Sequence, residues 1–242
     1  MKRAFTLLEL LVVVAILVIL AALMIPVFST AKMASSRAIS AHSLHQLIAA
    51  GHSYLAENEH VFWKYSDFPS DGGTMWWYGW ESNQSRFGTP EGQRTLDPTR
   101  GPLGPYVIAS GGVQTDPAFM AYSPRLKPKY KNGNYGYGYN TLLVGENSLR
   151  FNRPGQIVVF ATCAQANTFQ PPASASNPMV EEFYIINDTQ TTVHFRHGGR
   201  ALAAFLDGSI REMDMAPGTR DMRLPSANIG RFAPVGSAQF LQ

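Results

Sequence analysis

A long apolar segment extends from Phe5 to Phe28, and between Leu10 and Ile25 it contains no polar residue and no glycine. As a helix that rises about 1.5 Å per residue, this segment would extend roughly 36 Å, enough to cross the hydrocarbon core of a bilayer. We therefore predict a membrane-spanning N-terminal helix.

Glu9 lies in the first turn of this helix, between apolar neighbours. A carboxylate in apolar surroundings costs several kcal/mol unless a partner group compensates it. We therefore expect this carboxylate to have a role beyond its own helix. The local alternative is that it accepts hydrogen bonds from free N–H groups of its own helix end.

The residues around Glu9 form a recognisable signal. Lys2 and Arg3 are followed by a small residue, Ala4, and then by Phe-Thr-Leu-x-Glu, which begins at Phe5. This arrangement resembles the type IV prepilin signal of pilins and type II secretion pseudopilins, in which glycine mostly occupies the place of Ala4.

The resemblance implies that a prepilin peptidase cuts between Ala4 and Phe5 and methylates the new amino group of Phe5. It also implies that Glu9 of one subunit neutralises the amino group of its neighbour in the fibre core. Pro26 stands where many pilins carry a proline. The implied partners are the peptidase/methyltransferase, other pilin-like subunits and the inner membrane, with the head in the periplasm or, within a fibre, outside the cell.

Two other interpretations of the N-terminus stay open. An ordinary secretory signal could be cut after the small-x-small sequence Ser29-Thr30-Ala31, although Glu9 inside the apolar region argues against it. An uncleaved membrane anchor is the third interpretation.

The helical pattern continues to about Glu57. An apolar stripe is formed by Ala34, Ala38, Ala41, Leu44, Ile48 and Leu55, and the rest of the surface includes Lys32, Ser36, Arg37, Ser40 and Ser43. We predict an α+β, pilin-like lollipop, in which the second half of the helix packs on a small antiparallel sheet. The predicted parts are a cleaved leader (1–4), the transmembrane and assembly helix (5–28), an amphipathic helix (29–60) and the head (61–242).

Within the head we predict a loop-rich region (61–130), an antiparallel sheet (135–214) and a C-terminal tail (215–242). The run from Gln156 to Cys163 is typical of a buried strand, and Cys163, the only cysteine, is predicted to be a buried thiol. Four further strands, at 181–187, 191–197, 200–206 and 209–214, are predicted to form an antiparallel meander with tight turns at 198–199 and 207–208.

His197 and the Asp207-Gly208 pair have a spacing that resembles a motif near the C-terminus of prepilin-like proteins from planctomycete-type bacteria. In the predicted hairpin His197 pairs with Arg200, so Asp207 lies opposite residue 190, seven residues from His197. Seven residues along a strand are about 23 Å, so His197 and Asp207 cannot share a metal or a proton within this hairpin. We predict structural roles instead: His197 bonds the turn backbone, and the Asp207 side chain holds the turn that includes Gly208.

Three tryptophans, Trp76, Trp77 and Trp80, lie within six residues. Such a cluster can stack sugars or contact a partner, or it can form the core of a loop with little regular structure, which is the interpretation that we favour. The binding interpretation would make the head a surface module for a glycan or a protein partner, displayed on an anchored or exported domain.

The remaining chemistry is sparse. The net charge is +3 with scattered basic residues, so no nucleic-acid partner is expected. His42, His45, His52 and His60 are interpreted as parts of a polar helix face, and no metal or cofactor is expected. Because the common catalytic motifs are absent, we predict a structural subunit and not an enzyme.

Overall fold

The structure, a computed structural model, describes residues 7–122, 125–131, 136–168 and 172–232, apart from the side chains of residues 26 and 27. Within these ranges one long helix is followed by a head of short helices and short strands. The helices are α1 Leu7–Glu57, α2 Asn83–Gly88, α3 Gly104–Ala109 and α4 Pro117–Met120, with 3-10 turns at Pro98–Arg100, Thr141–Leu143, Ser148–Arg150, Pro154–Gln156 and Pro225–Ala227. The predicted α+β, pilin-like fold class is confirmed.

The strands are short and form four separate sheets. They are β1 Ser66–Asp67, β2 Gly73–Trp76, β3 Gly79–Ser82, β4 Leu126–Lys127, β5 Tyr137–Asn140, β6 Val158–Thr162, β7 Gln165–Ala166, β8 Val180–Glu181, β9 Ile185–Ile186, β10 Val193–His194, β11 Ala201–Phe205, β12 Ile210–Met213 and β13 Ile229–Gly230. The largest sheet has the order β12-β11-β6-β5-β9; the others are β1-β2-β3, β4-β8-β7 and β10-β13.

Helix α1 is about 77 Å long at 1.5 Å per residue, and it divides into two halves by burial. From Leu7 to Met33 the large apolar side chains that the structure describes are exposed in the isolated chain. The exposed fraction is 82% for Leu7 and 71% for Ile25. Two residues with left-handed backbone, Glu59 and His60 (φ 53° and 61°), follow the helix and turn the chain back toward the head.

The second half of α1 packs against β6 and β11 and against the short helices α3 and α4. Its buried face was predicted only in part. Leu44, Ile48 and Leu55 are buried as expected, but Ala34 and Ala38 are exposed. Ser36, Ser40 and Ser43 take their place, and the Ser43 hydroxyl donates to the carbonyl of Gln114 at 3.2 Å. Small hydroxyl side chains suit this position because polar groups of the head lie opposite them.

The central sheet is buried on both faces. The five residues of β6 and the five residues of β11 are all buried. On one face Val159, Leu202 and Ala204 join the cluster that includes the helix residues Leu44 and Leu47. The opposite face belongs to a second cluster, whose members include Val158, Ala201, Phe195 and Phe232. A strand covered on both sides takes a continuous apolar sequence, which is why β6 was recognisable.

The predicted meander is wrong in its topology. The turns at Gly198-Gly199 and Asp207-Gly208 form, and β11 pairs with β12 as expected. However, β11 pairs on its other side with β6, and β10 pairs with β13 instead of with β11. Strand β9 joins the sheet parallel to β5. The sheet places its most apolar strand in the centre, where both edges and both faces are covered.

The predicted burial of Cys163 is confirmed. This residue follows β6, its thiol donates to the carbonyl of Ile185 at 3.3 Å, and burial raises its pKa to about 12. A thiol in this state is not a nucleophile at neutral pH.

Candidate functional site

The N-terminal half of α1 is the first candidate site. Among the described residues, α1 is the one helix that is long and apolar enough to cross a membrane, as judged by length and composition. Glu9 lies in its first turn and is exposed in the isolated chain. Ala4 and Phe5 lie outside the described residues, so their predicted roles in processing stay predictions.

Pro26 lies inside α1, and the helix continues through this position without a break. It also continues through residues 29–31, the small-x-small sequence of the alternative secretory signal. The proline lacks an N–H group and therefore removes one hydrogen bond of the helix. The first half of α1 is thus a continuous apolar rod with a single carboxylate near its beginning.

The comparisons with known proteins agree with this geometry. Residues 1–25 match the family model described as the prokaryotic N-terminal methylation motif. The chain therefore carries a type IV pilin-like signal. This motif implies processing by a prepilin peptidase and assembly with other pilin-like subunits. With the apolar helix it is consistent with membrane anchoring.

No match was found among curated proteins or among solved structures. The family match ends at residue 25, so the resemblance of the His197 and Asp207-Gly208 spacing to a motif of planctomycete-type prepilin-like proteins stays a prediction.

A buried ionic cluster lies where the head meets α1, and it is not among the sites predicted from the sequence. The Arg196 guanidinium pairs with Asp116 at 2.7 Å, and both side chains are fully buried. Arg196 also donates to the carbonyl of Gly136 at 2.5 Å, to the carbonyl of Cys163 at 3.3 Å and to Nδ1 of His194 at 3.0 Å. One side chain thus connects α4, the beginning of β5, the end of β6 and β10.

Asp116 is also the N-cap of α4, because its Oδ1 accepts from the N–H groups of Ala118 at 2.8 Å and Phe119 at 3.3 Å. Burial by itself would raise the pKa of Asp116, but the charge of Arg196 and the neighbouring His197 hold that pKa well below its ordinary value. The Asp-Pro dipeptide was the available sequence signal, since Asp before a proline at the first helical position is a common helix start.

His194 stays neutral in this cluster. Burial, reinforced by the charge of Arg196, lowers the pKa of His194 well below its ordinary value. Because a guanidinium can only donate, Nδ1 of His194 must be the acceptor and the ring proton must lie on Nε2.

His194 is therefore expected to make stability depend on pH. Below its ordinary pKa of about 6.5 the unfolded chain binds a proton that the folded chain does not, so the free energy of unfolding falls as pH falls. For one such group the loss between about pH 7.5 and pH 5 is about 2 kcal/mol. His194→Gln keeps an acceptor for Arg196 and should remove this slope.

The measurement is urea unfolding of the full chain in detergent micelles, followed by tryptophan fluorescence at several pH values. The wild-type chain and His194→Gln share every other titrating group, so only the difference between the two curves is interpreted. Parallel pH curves would contradict the assignment.

His197 and Asp207 lie beyond opposite ends of β11 and contact different groups. Nε2 of His197 lies 3.4 Å from Asp116, and its backbone pairs with Arg200 across the tight turn. Asp207 Oδ1 accepts from the backbone N–H of Ser209 at 2.9 Å, and Gly208 has a φ of 86°. The Asp207 contact is the turn bond that we expected, whereas the His197 ring faces the buried carboxylate and not the turn.

The three tryptophans have different surroundings. Trp77 is 3% exposed and its indole donates to the carbonyl of Tyr184 at 2.8 Å, so it belongs to the core. The guanidinium of Arg100 lies over the ring of Trp80, with its central carbon 4.0 Å from the ring centroid. Trp76 is half-buried and faces a cleft.

No group of three or more His, Cys, Asp or Glu side chains is placed to hold a metal in the part of the chain that the structure describes. Nε2 of His52, one of the four histidines near the helix, lies 2.8 Å from the carbonyl of Leu206.

Proposed function

We propose that this chain is a pilin-like structural subunit, either a pseudopilin of a type II secretion system or a minor type IV pilin, and not an enzyme. The observation that best supports this proposal is that the methylation motif at residues 1–25 continues into a long helix. The large apolar side chains that the structure describes on this helix are exposed as far as Met33. Such a surface needs a membrane first and neighbouring helices afterwards.

In the proposed mechanism the peptidase removes residues 1–4 and leaves a methylated ammonium group on Phe5. The carboxylate of Glu9 on one subunit meets the ammonium group of the next, which offsets the cost of placing both charges in apolar surroundings. The pair also favours one axial stagger between neighbouring helices. The head, held by the second half of α1, lies in the periplasm or on the outside of the fibre.

The test is the N-terminal mass of the chain purified from cells that carry the peptidase. We expect a chain that begins at N-methylated Phe5. A chain that begins at Lys32 would indicate an ordinary secretory signal, and an intact Met1 would indicate a plain anchor; either result would reject the proposal.

A second role, binding of a glycan or protein partner by the head, is compatible with assembly because helix and head present separate surfaces. The half-buried Trp76 at the mouth of a cleft favours this role.

A further inference from the structure

A cleft of about 440 Å³ opens beside the sheet β1-β2-β3, and we call it the aromatic cleft. Among its lining residues, the aromatic ones that carry the argument are Tyr65, Trp76, Tyr78 and Phe87. The charged ones are the cations Arg86, Arg94 and Lys129 and the acid Glu91. A cleft of this volume is large enough for a small ligand, and its mixed lining suits a ligand that has both apolar faces and polar edges.

The rings of the aromatic cleft are held in place by their neighbours. Tyr78 stacks on the buried Tyr184 with ring centroids 3.8 Å apart, and Trp76 lies parallel to Tyr78 within 4°. The rings of Tyr65 and Trp76 are tilted against each other, with their centroids 5.6 Å apart. Aromatic faces fixed in this way form a preorganised surface, so little side-chain entropy is lost on binding.

The cations in and around the cleft differ in whether a carboxylate pairs with them. Arg94 pairs with the buried Glu81 through two contacts of 2.7 and 2.6 Å, and Lys127 pairs with Glu91 at 2.6 Å. Lys129 lies 3.4 Å from Glu181. Each of these charges already faces a carboxylate.

Arg86 is different. It donates to the hydroxyl of Thr74 at 2.7 Å, and its guanidinium lies 5.0 Å from the ring of Trp76 and 5.0 Å from the ring of Phe87. Among the residues that the structure describes, no carboxylate forms an ion pair with it. Phe87 is 75% exposed, so an aromatic face and a cation stand together at the mouth of the cleft.

The hydroxyl groups of the cleft also suit a polar ligand. Burial raises the pKa of Tyr65, and the nearby charge of Arg86 only partly opposes this effect, so the phenol stays protonated. A protonated phenol can donate and accept hydrogen bonds, which matches the hydroxyl groups of a sugar.

We propose that the aromatic cleft binds an acidic glycan, with a sugar face on Trp76 or Phe87 and the acidic group on Arg86. An apolar peptide would leave the polar half of the lining unmatched, and a neutral sugar would leave Arg86 without an anion. The site differs from the tryptophan cluster predicted from sequence, because Trp77 and Trp80 do not line it. It does not depend on fibre assembly, since its test uses the purified chain and not incorporation in cells.

The test is a titration of the full chain in detergent micelles with a uronic acid tetramer from alginate, followed by tryptophan fluorescence and calorimetry. Cellotetraose provides a neutral glycan of equal length, and tetraglutamate provides equal charge without sugar rings. We expect the uronate to bind and both comparison compounds to bind at least about tenfold more weakly, because charge-assisted hydrogen bonds and ring stacking act together.

Arg86→Gln should weaken uronate binding about tenfold, and Phe87→Ala, at an exposed position that does not endanger folding, about threefold. Arg100→Gln is the matched control, because Arg100 also stacks on a tryptophan, Trp80, but lies outside the cleft; it should leave the affinity unchanged. The proposal is overturned if the uronate does not bind, or if cellotetraose or tetraglutamate binds as tightly as the uronate. It is also overturned if Arg86→Gln and Phe87→Ala bind the uronate with the same affinity as Arg100→Gln.

Discussion

Arg196→Met is expected to lower the free energy of unfolding of the head by about 3–5 kcal/mol, the usual loss when one partner of a buried ion pair is removed. The substitution keeps an apolar chain of similar length but leaves the Asp116 carboxylate without its 2.7 Å partner in a fully buried position. It also removes the donor that serves the carbonyls of Gly136 and Cys163.

The measurement is urea unfolding of the full chain in detergent micelles. Arg200→Met is the matched control, because Arg200 pairs with Glu212 and Asp214 on the surface and is 52% exposed; its effect should be much smaller, since water screens such pairs. The double variant Arg196→Met, Asp116→Asn should recover part of the loss, because it no longer buries an uncompensated charge. Equal losses for Arg196→Met and Arg200→Met would show that the buried pair does not stabilise the head.

Glu9→Leu is expected to reduce incorporation into fibres by about tenfold or more, because close charge pairs in interfaces contribute about 1.5–7 kcal/mol and about 1.4 kcal/mol corresponds to tenfold. Leucine suits the apolar helix, so membrane insertion of the monomer should be preserved. The ammonium group of the neighbouring Phe5 would then enter the fibre core without a carboxylate.

Incorporation is measured as the fraction of chain in the sheared fibre pool relative to the membrane pool, in cells with the complete assembly machinery. Glu57→Gln is the control, since Glu57 is the other acidic residue of α1 and contacts Tyr106 of the head instead. The N-terminal mass of each variant separates failed assembly from failed processing. Wild-type incorporation of Glu9→Leu would refute the charge-pairing mechanism while leaving the glycan proposal untouched.

Local patterns predicted those parts of the fold whose physical causes lie within a few residues. The apolar run and its one-sided continuation predicted α1, the Gly198-Gly199 and Asp207-Gly208 turns predicted where the chain reverses, and the apolar run before Cys163 predicted β6. The Phe-Thr-Leu-x-Glu sequence predicted the methylation motif that residues 1–25 match. Each of these features depends on helix periodicity, turn conformation or an enzyme recognition sequence, all of which are short-range.

Long-range packing established the rest. The position of β6 between β5 and β11 depends on which strands cover its two edges, and a strand's own sequence does not specify its neighbours. The burial of Arg196 with Asp116, eighty residues earlier in the chain, and the placement of Arg86 beside Trp76 and Phe87 likewise arise only when the chain has folded around them. Charge and aromatic character are visible in the sequence, but whether a group is compensated in the interior or left at the mouth of a cleft is decided by the folded surroundings.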